Sequence, residues 1–336
     1  MIAVGDREAP LLDDGDDWDA AQRALLDAGL GDGLPLVVPT APRMARMLAG
    51  LDPTLSFGAV PPLLGELTVE AVAYCCVLAG CVPAELPVVL TAAVASLDPE
   101  FNLLGIQTTT GTPTVAAVVH GPAVRVLGMN AGTNCLGPGN RANACIGRAL
   151  RLALTNIGGA RPGIGDMATM GQPGKYGFCF AEGAHALLPP LSVRRGLPES
   201  QSAVTVIGVS GTLEVLPLHG AETPASVLRP ALAAMQGARL AGDGGKRREP
   251  GEQFLLLPPE MADAVLRHRW DLAAMQDFLW REAPDGGGAR GGEAWPIARS
   301  PRDIQIILTG GAGVKMTGLV PWGGGTLSVT RPLLVH

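Results

Sequence analysis

Apolar residues along this chain fall into two rhythms, broken by glycine and proline, and the rhythms predict helices alternating with strands. Trp18 to Ala28 carries helical spacing, and "GDGLPLVVPT" reads as a strand ending where Thr40 can cap a helix over Ala41 to Ala49. "TVEAVAYCCVLAG", capped by Thr68, and "LPVVLTAAVASL", starting near Pro87, read as two apolar helices in a buried region that takes in Cys75, Cys76 and Cys81. "PTVAAVVHGPAVRVLG" reads as two short strands around a His-Gly-Pro turn, and Asn143 to Asn156 as a helix stopped by Gly158 and Gly159. Pro189 to Ser202 is the best candidate linker. Beyond it "AVTVIGVSG", "TLEVLPL", "QFLLLP" and "DIQIILTGGAG" read as strands, with helices starting near Thr223, Pro259 and Asp271. The alternation predicts an α/β fold of mixed or parallel sheets flanked by helices, in two α/β lobes with a cleft between them. Residues 1–190 form the first domain, with glycine-rich site loops, and residues 200–336 the second.

Composition narrows the partners. The 46 glycines and 29 prolines are spread between apolar segments, so the chain is globular and not low-complexity. A net charge of −6 leaves no electrostatic footprint for nucleic acid. The acidic start "MIAVGDREAPLLDDGDDWDAAQ" lacks the features of a signal peptide, and no apolar run is long enough to span a bilayer, so a cytoplasmic location without membrane contact is expected. The six cysteines are then expected as thiols, and their spacing matches no zinc pattern. His185, His219, His268 and His336 show no ligand spacing either, so no metal is expected.

Two glycine-rich stretches carry the candidate chemistry. In "GPGNRAN", ahead of the Asn143 helix, Gly137, Gly139, Asn140 and Asn143 can offer N–H groups at a helix N-terminus, with Arg141 beside them. That is an anion site in outline; the alternative is turn and cap chemistry alone. "DMATMGQPGKYGFCFAE" adds Asp166 and Glu182 as proton acceptors, Lys175 as a second cation, Tyr176 as a donor and Cys179 as a thiol. Solvated loop charges and a packed thiol are the alternatives. His120, at a strand end, is placed as a base or as a structural histidine, and Lys315 follows a second strand-to-glycine turn. Asp98 and Glu100 read as a solvated helix terminus.

The stretches "GPGNRANACIGRALRLALTNIGG", "GQPGKYGFCFAE", "DGLPLVVPT" and "VLAGCVPAELPVVLTA" resemble an uncharacterised bacterial family associated with UGSC-motif (seleno)proteins, over residues 30–190. The chain is also similar, more loosely, to actinobacterial two-component proteins that close the aziridine of azabicyclic amino acids in natural-product pathways. That resemblance implies a small partner subunit, no redox cofactor, and an amine displacing an oxygen leaving group such as sulfate; no catalytic position transfers through it. The expected function is a cofactor-independent biosynthetic enzyme on a small anionic substrate, free or carrier-protein-bound. Arg141, the backbone at 137–140 and Lys175 would hold the anion while Asp166 or Glu182 removes a proton and Tyr176 orients. A hydrolase or transferase working through Cys179, and a non-catalytic scaffold subunit, are the alternatives.

Overall fold

Strands such as Thr114–His120 and Ile304–Leu308 are buried at every position, and the helices Val69–Ala79 and Leu86–Ser96 are buried almost all round. The computed structural model describes residues 1–186, 188–217, 223–243, 251–282 and 297–334; His219, His336 and the charged, glycine-rich stretches 244–250 and 283–294 lie outside them. The first half runs β1 (Ile2–Val4), β2 (Arg7–Ala9), α1 (Trp18–Asp27), α2 (Ala41–Leu48), β3 (Ser56–Val60), β4 (Gly65–Thr68), α3 (Val69–Ala79), α4 (Leu86–Ser96), α5 (Leu103–Thr108), β5 (Thr114–His120), α6 (Pro122–Val126), α7 (Arg141–Asn156) and β6 (Cys179–Ala181). There follow α8 (Leu191–Arg194), β7 (Ala203–Val215), α9 (Pro224–Asp243), β8 (Gln253–Leu257), α10 (Pro259–Leu266), α11 (Leu272–Arg281), β9 (Ile304–Leu308), β10 (Met316–Pro321) and β11 (Val329–Pro332).

The chain is a mixed α/β protein built on one seven-stranded sheet of order β6-β5-β7-β10-β8-β9, with β11 also on β7. β5 and β6 are parallel, as are β8 and β9, and each pair is joined through helices; the pairs of β7 with β5, β10 and β11 are antiparallel. The sheet runs unbroken past the predicted linker. There α8 forms a single turn with Leu191 and Ser192 buried.

Register decides which side chains share a face. Ala117 of β5 opposes Val206 of β7, and both belong to the core beneath α3, α4 and α7. Leu255 of β8 opposes Ile306 of β9 in a second core under α9, α10 and α11. The alternate positions, among them Val118, Ile207, Phe254 and Ile307, form a third core on the opposite face, which α8 joins through Leu191. The sheet curls around that face until its edge strands meet: Gly183 N–H donates to Leu308 O at 2.7 Å, and Thr309 Oγ1 donates to Ala181 O at 2.9 Å.

Four local expectations change. "GDGLPLVVPT" is extended but unpaired, because Pro35 and Pro39 offer no N–H; it is tied down by Val37 N–H to Leu78 O. The His-Gly-Pro turn leads from β5 into α6 and not into a second strand, since Pro122 suits the first helical position. "AVTVIGVSG" and "TLEVLPL" make one continuous strand through Val215. The helix after "GPGN" starts at Arg141, capped by Asn140. Among the described residues, no single helix is long and apolar enough to cross a membrane.

Candidate functional site

The "GPGNRAN" entrance is a closed net of local hydrogen bonds. Asn140 Oδ1 accepts from Asn143 N–H at 3.0 Å, and its Nδ2 donates to Gly128 O at 2.8 Å. Asn143 is buried and binds the 130–135 loop through both ends of its amide, accepting from Asn130 N–H and donating to Asn130 O and Cys135 O. A Cβ at Gly137 would stand 2.2 Å from the Asn134 amide, and Gly139 has φ +121°, so both glycines answer to the turn. These contacts are those of turn and cap chemistry.

Arg141 faces a carboxylate of its own chain. Its guanidinium makes a two-pronged pair with Glu85 at 2.7 and 3.0 Å, and the Glu85 side chain is wholly buried. Glu85 also accepts from Val82 N–H at 2.9 Å. The charge of Arg141 is thus balanced from within, while half of its side chain stays exposed. A buried carboxylate needs such a partner.

Asp166 and Lys175 lie together, and neither is a solvated loop charge. Lys175 Nζ donates to both Asp166 oxygens at 2.8 and 2.7 Å, and Arg151 Nη2 adds a third contact at 3.0 Å. Burial pushes the Asp166 carboxyl up, but hydrogen bonds from Lys175 and Ala168 N–H, with the charges of Lys175 and Arg151, outweigh it and leave it below its ordinary value. Burial also lowers Lys175, against the pull of Asp166. The two short Nζ contacts decide for the ion pair, so Asp166 stands as a clamped anion and Lys175 as its counter-ion.

Tyr176 is exposed. Cys179 is buried on β6, and burial pushes its thiol far above its ordinary value. Lys315 makes a surface pair with Glu214 at 3.3 Å, both side chains being well exposed. Asp98 caps Glu100 N–H and meets Arg331.

His120 and Glu182 do come together, inside the curled sheet. Nδ1 of His120 lies 2.6 Å from Glu182 Oε2, and Nε2 lies 2.7 Å from Thr205 Oγ1; the imidazole has no exposed surface. Thr205 meets Thr330 Oγ1 at 2.7 Å, and Arg195 Nη1 donates to Thr330 at 2.8 Å. Arg195 then donates to Glu252 Oε1 at 2.9 Å and to the Ser328 hydroxyl, while Ser328 N–H donates to Glu252 Oε2 at 2.6 Å. On the other side Arg194 approaches Glu182 at 3.8 Å, and Leu191 N–H donates to Glu182 at 2.9 Å. Burial pulls both arginines below their ordinary value, opposed by Glu182 and Glu252; arginine stays charged nonetheless. Two buried carboxylates therefore face two buried guanidiniums, which come from the last residue of the one-turn helix α8 and the one after it.

The far end of this chain reaches a cavity of about 380 Å³. Its position follows from β7. One edge of β7 pairs with β5 over residues 203–209, while the other pairs with β11 over 203–206 and with β10 from 209 onward. At Ile207 and Gly208 that second edge is split. There Trp322 N–H bonds Gly208 O at 3.0 Å, and the cavity opens beside them. Its wall includes Thr109, Thr112, Arg239, Glu252, Trp322 and Ser328.

None of the residues singled out in the sequence lines this cavity. The signals were present: hydroxyls packed into "TTTGTPT" before a buried strand, a tryptophan inside "VPWGGGTLS", and the acid of "GEQFLLL" one step ahead of another. The loop carrying Asp166 and Lys175 backs onto its threonine wall, Thr169 N–H donating to Thr110 O and Gln172 Nε2 to Thr112 O. Among the described residues no group of three or more His, Cys, Asp or Glu is placed to hold a metal ion. Comparison with known families, curated proteins and solved structures finds no match.

Proposed function

We propose that the protein is an enzyme acting on a small anionic substrate held in the cavity at the split of β7. The observation that carries this reading is Glu252, a carboxylate in the cavity wall with both oxygens already aimed, one by Arg195 and the other by the Ser328 amide. A cavity of this size suits a metabolite-sized ligand. The guanidinium of Arg239 lines the cavity, and Thr109, Thr112 and Ser328 add hydroxyls, a set of donors that suits an anionic ligand. Arg239 has five N–H donors and can hold an anion alongside another partner.

Intramolecular displacement uses both signs of charge. A substrate amine gives its proton to Glu252 and forms a bond to carbon; the carbon–oxygen bond to the leaving group breaks, and the departing anion takes that electron pair toward Arg239. Ring closure of this kind is the reaction the resemblance implies. It also brings a partner subunit, for which Leu63, Leu64, Ile164 and Met170 offer exposed apolar surface on two loops joined by Leu63 N–H to Gly158 O.

Titration of the full chain with sulfate, phosphate and malonate, followed by thermal unfolding, tests the site. Saturable stabilisation is expected, about 2.7 kcal/mol at a hundredfold excess over Kd, and Arg239→Gln is expected to abolish it while Lys315→Gln leaves it intact. No stabilisation by any of the three, or stabilisation untouched in Arg239→Gln, overturns the reading.

A further inference from the structure

We infer that His120, Thr205 and Thr330 are positioning residues that aim Arg195, and through it Glu252, from inside the sheet. This rests on the reading of the cavity as the substrate site.

Arginine can only donate, so Thr330 Oγ1 accepts from Arg195. If His120 is neutral with its proton on Nδ1, that N–H donates to Glu182 and Nε2 accepts from Thr205; Thr205 in turn accepts from Thr330. Every hydroxyl then donates once and accepts once, and all the bonds point from the arginine toward the carboxylate. An imidazolium would instead donate at both nitrogens, reverse Thr205, and turn two donors, Thr205 and Arg195, onto Thr330. It would also add a buried charge where Glu182 and Glu252 are already matched by Arg194 and Arg195. The neutral, one-directional chain is the arrangement that satisfies all members.

Bonds aligned head to tail polarise one another. The chain therefore fixes where Arg195 points and strengthens its hold on Thr330. The remaining donors of Arg195 fall on Ser328 and Glu252, both in the cavity wall. A buried imidazole with both nitrogens engaged performs no proton transfer on substrate, which separates the role of His120 from that of a catalytic base.

Thr205→Val keeps the shape of the side chain and removes the hydroxyl, whereas Thr205→Ser keeps the hydroxyl. Two measurements on the full chain read the consequence: imidazole nitrogen shifts of His120 by long-range proton–nitrogen correlation, and affinity for malonate by calorimetry. Wild type is expected to show the Nδ1–H tautomer with Nε2 as acceptor. Thr205→Val is expected to move the Nε2 resonance and weaken malonate binding about fivefold to tenfold, the worth of one hydrogen bond; Thr205→Ser restores both. Thr330→Val, at the half-buried end of the chain, repeats the test should Thr205→Val not fold. An imidazolium or an Nε2–H tautomer in wild type overturns the inference, as does unchanged malonate affinity in both valine variants. If wild type binds neither malonate, sulfate nor phosphate, the cavity reading itself falls, and the role of Glu252 with it, whatever the tautomer.

Discussion

Glu85 shows how a single residue can redirect the meaning of its neighbours. The arginine among glycines before α7 neutralises an acid in another helical segment, one residue ahead of α4. Removing the arginine strands that acid in the core. Arg141→Ala is expected to cost about 2–3 kcal/mol in chemical denaturation, below the roughly 3–5 kcal/mol of a fully enclosed pair because half of Arg141 is in water. Adding Glu85→Gln should recover much of the loss; an Arg141→Ala protein as stable as wild type would show the pair to be idle. Asp166 makes a prediction about pH. Its folded value lies below the ordinary carboxylate value of about 3.9, so its stabilisation is present above that pH and is lost as pH falls through the lower folded value. Asp166→Asn should thus be less stable than wild type at neutral pH. The gap should close below about pH 4, and denaturation midpoints at several pH values would read it.

At the level of elements, α7 is held by what it lacks. A Cβ at Gly147 would lie 2.9 Å from Phe178 N and 3.0 Å from Cys179 N, so the helix meets the backbone leading into β6 almost bare. Alanine is the better helix former by about 1 kcal/mol, yet this backbone has no flexible end to yield. Gly147→Ala is expected to destabilise by about 1–3 kcal/mol, measured by thermal or denaturant unfolding; a gain would mean the segment can shift. Elements with strong local signals were legible: Thr40 and Thr68 cap their helices as read, Asp271 opens α11, and Cys179 and Phe180 point to opposite faces. Illegible from local rhythm were α8, too short to show a period, and β10 and β11, whose identity depends on pairing with distant β7.

For the whole molecule, the α/β class could be read from alternation, which left mixed and parallel sheets open, but the curl of the sheet could not, because edge contacts such as Gly183 with Leu308 join positions far apart in sequence. The same reason hid the cavity. His120 and Glu182 stood out as isolated residues, whereas Thr205, Thr330, Arg195 and Glu252 acquire meaning only when α8, β7, β8 and β11 are assembled around them. The split in β7 has a consequence for the order of synthesis. A chain emerging from the ribosome has β5 waiting when β7 appears, but the second edge of β7 stays bare until β10 and then β11 have been made. Trp322 and Ser328, which line the cavity, follow β7 and β8 in the chain. A nascent chain stalled before Gly310 would already carry His120, Thr205 and Glu252 and still lack the Trp322 and Ser328 wall, so the cavity forms only when the segment from β10 to β11 has been laid against β7.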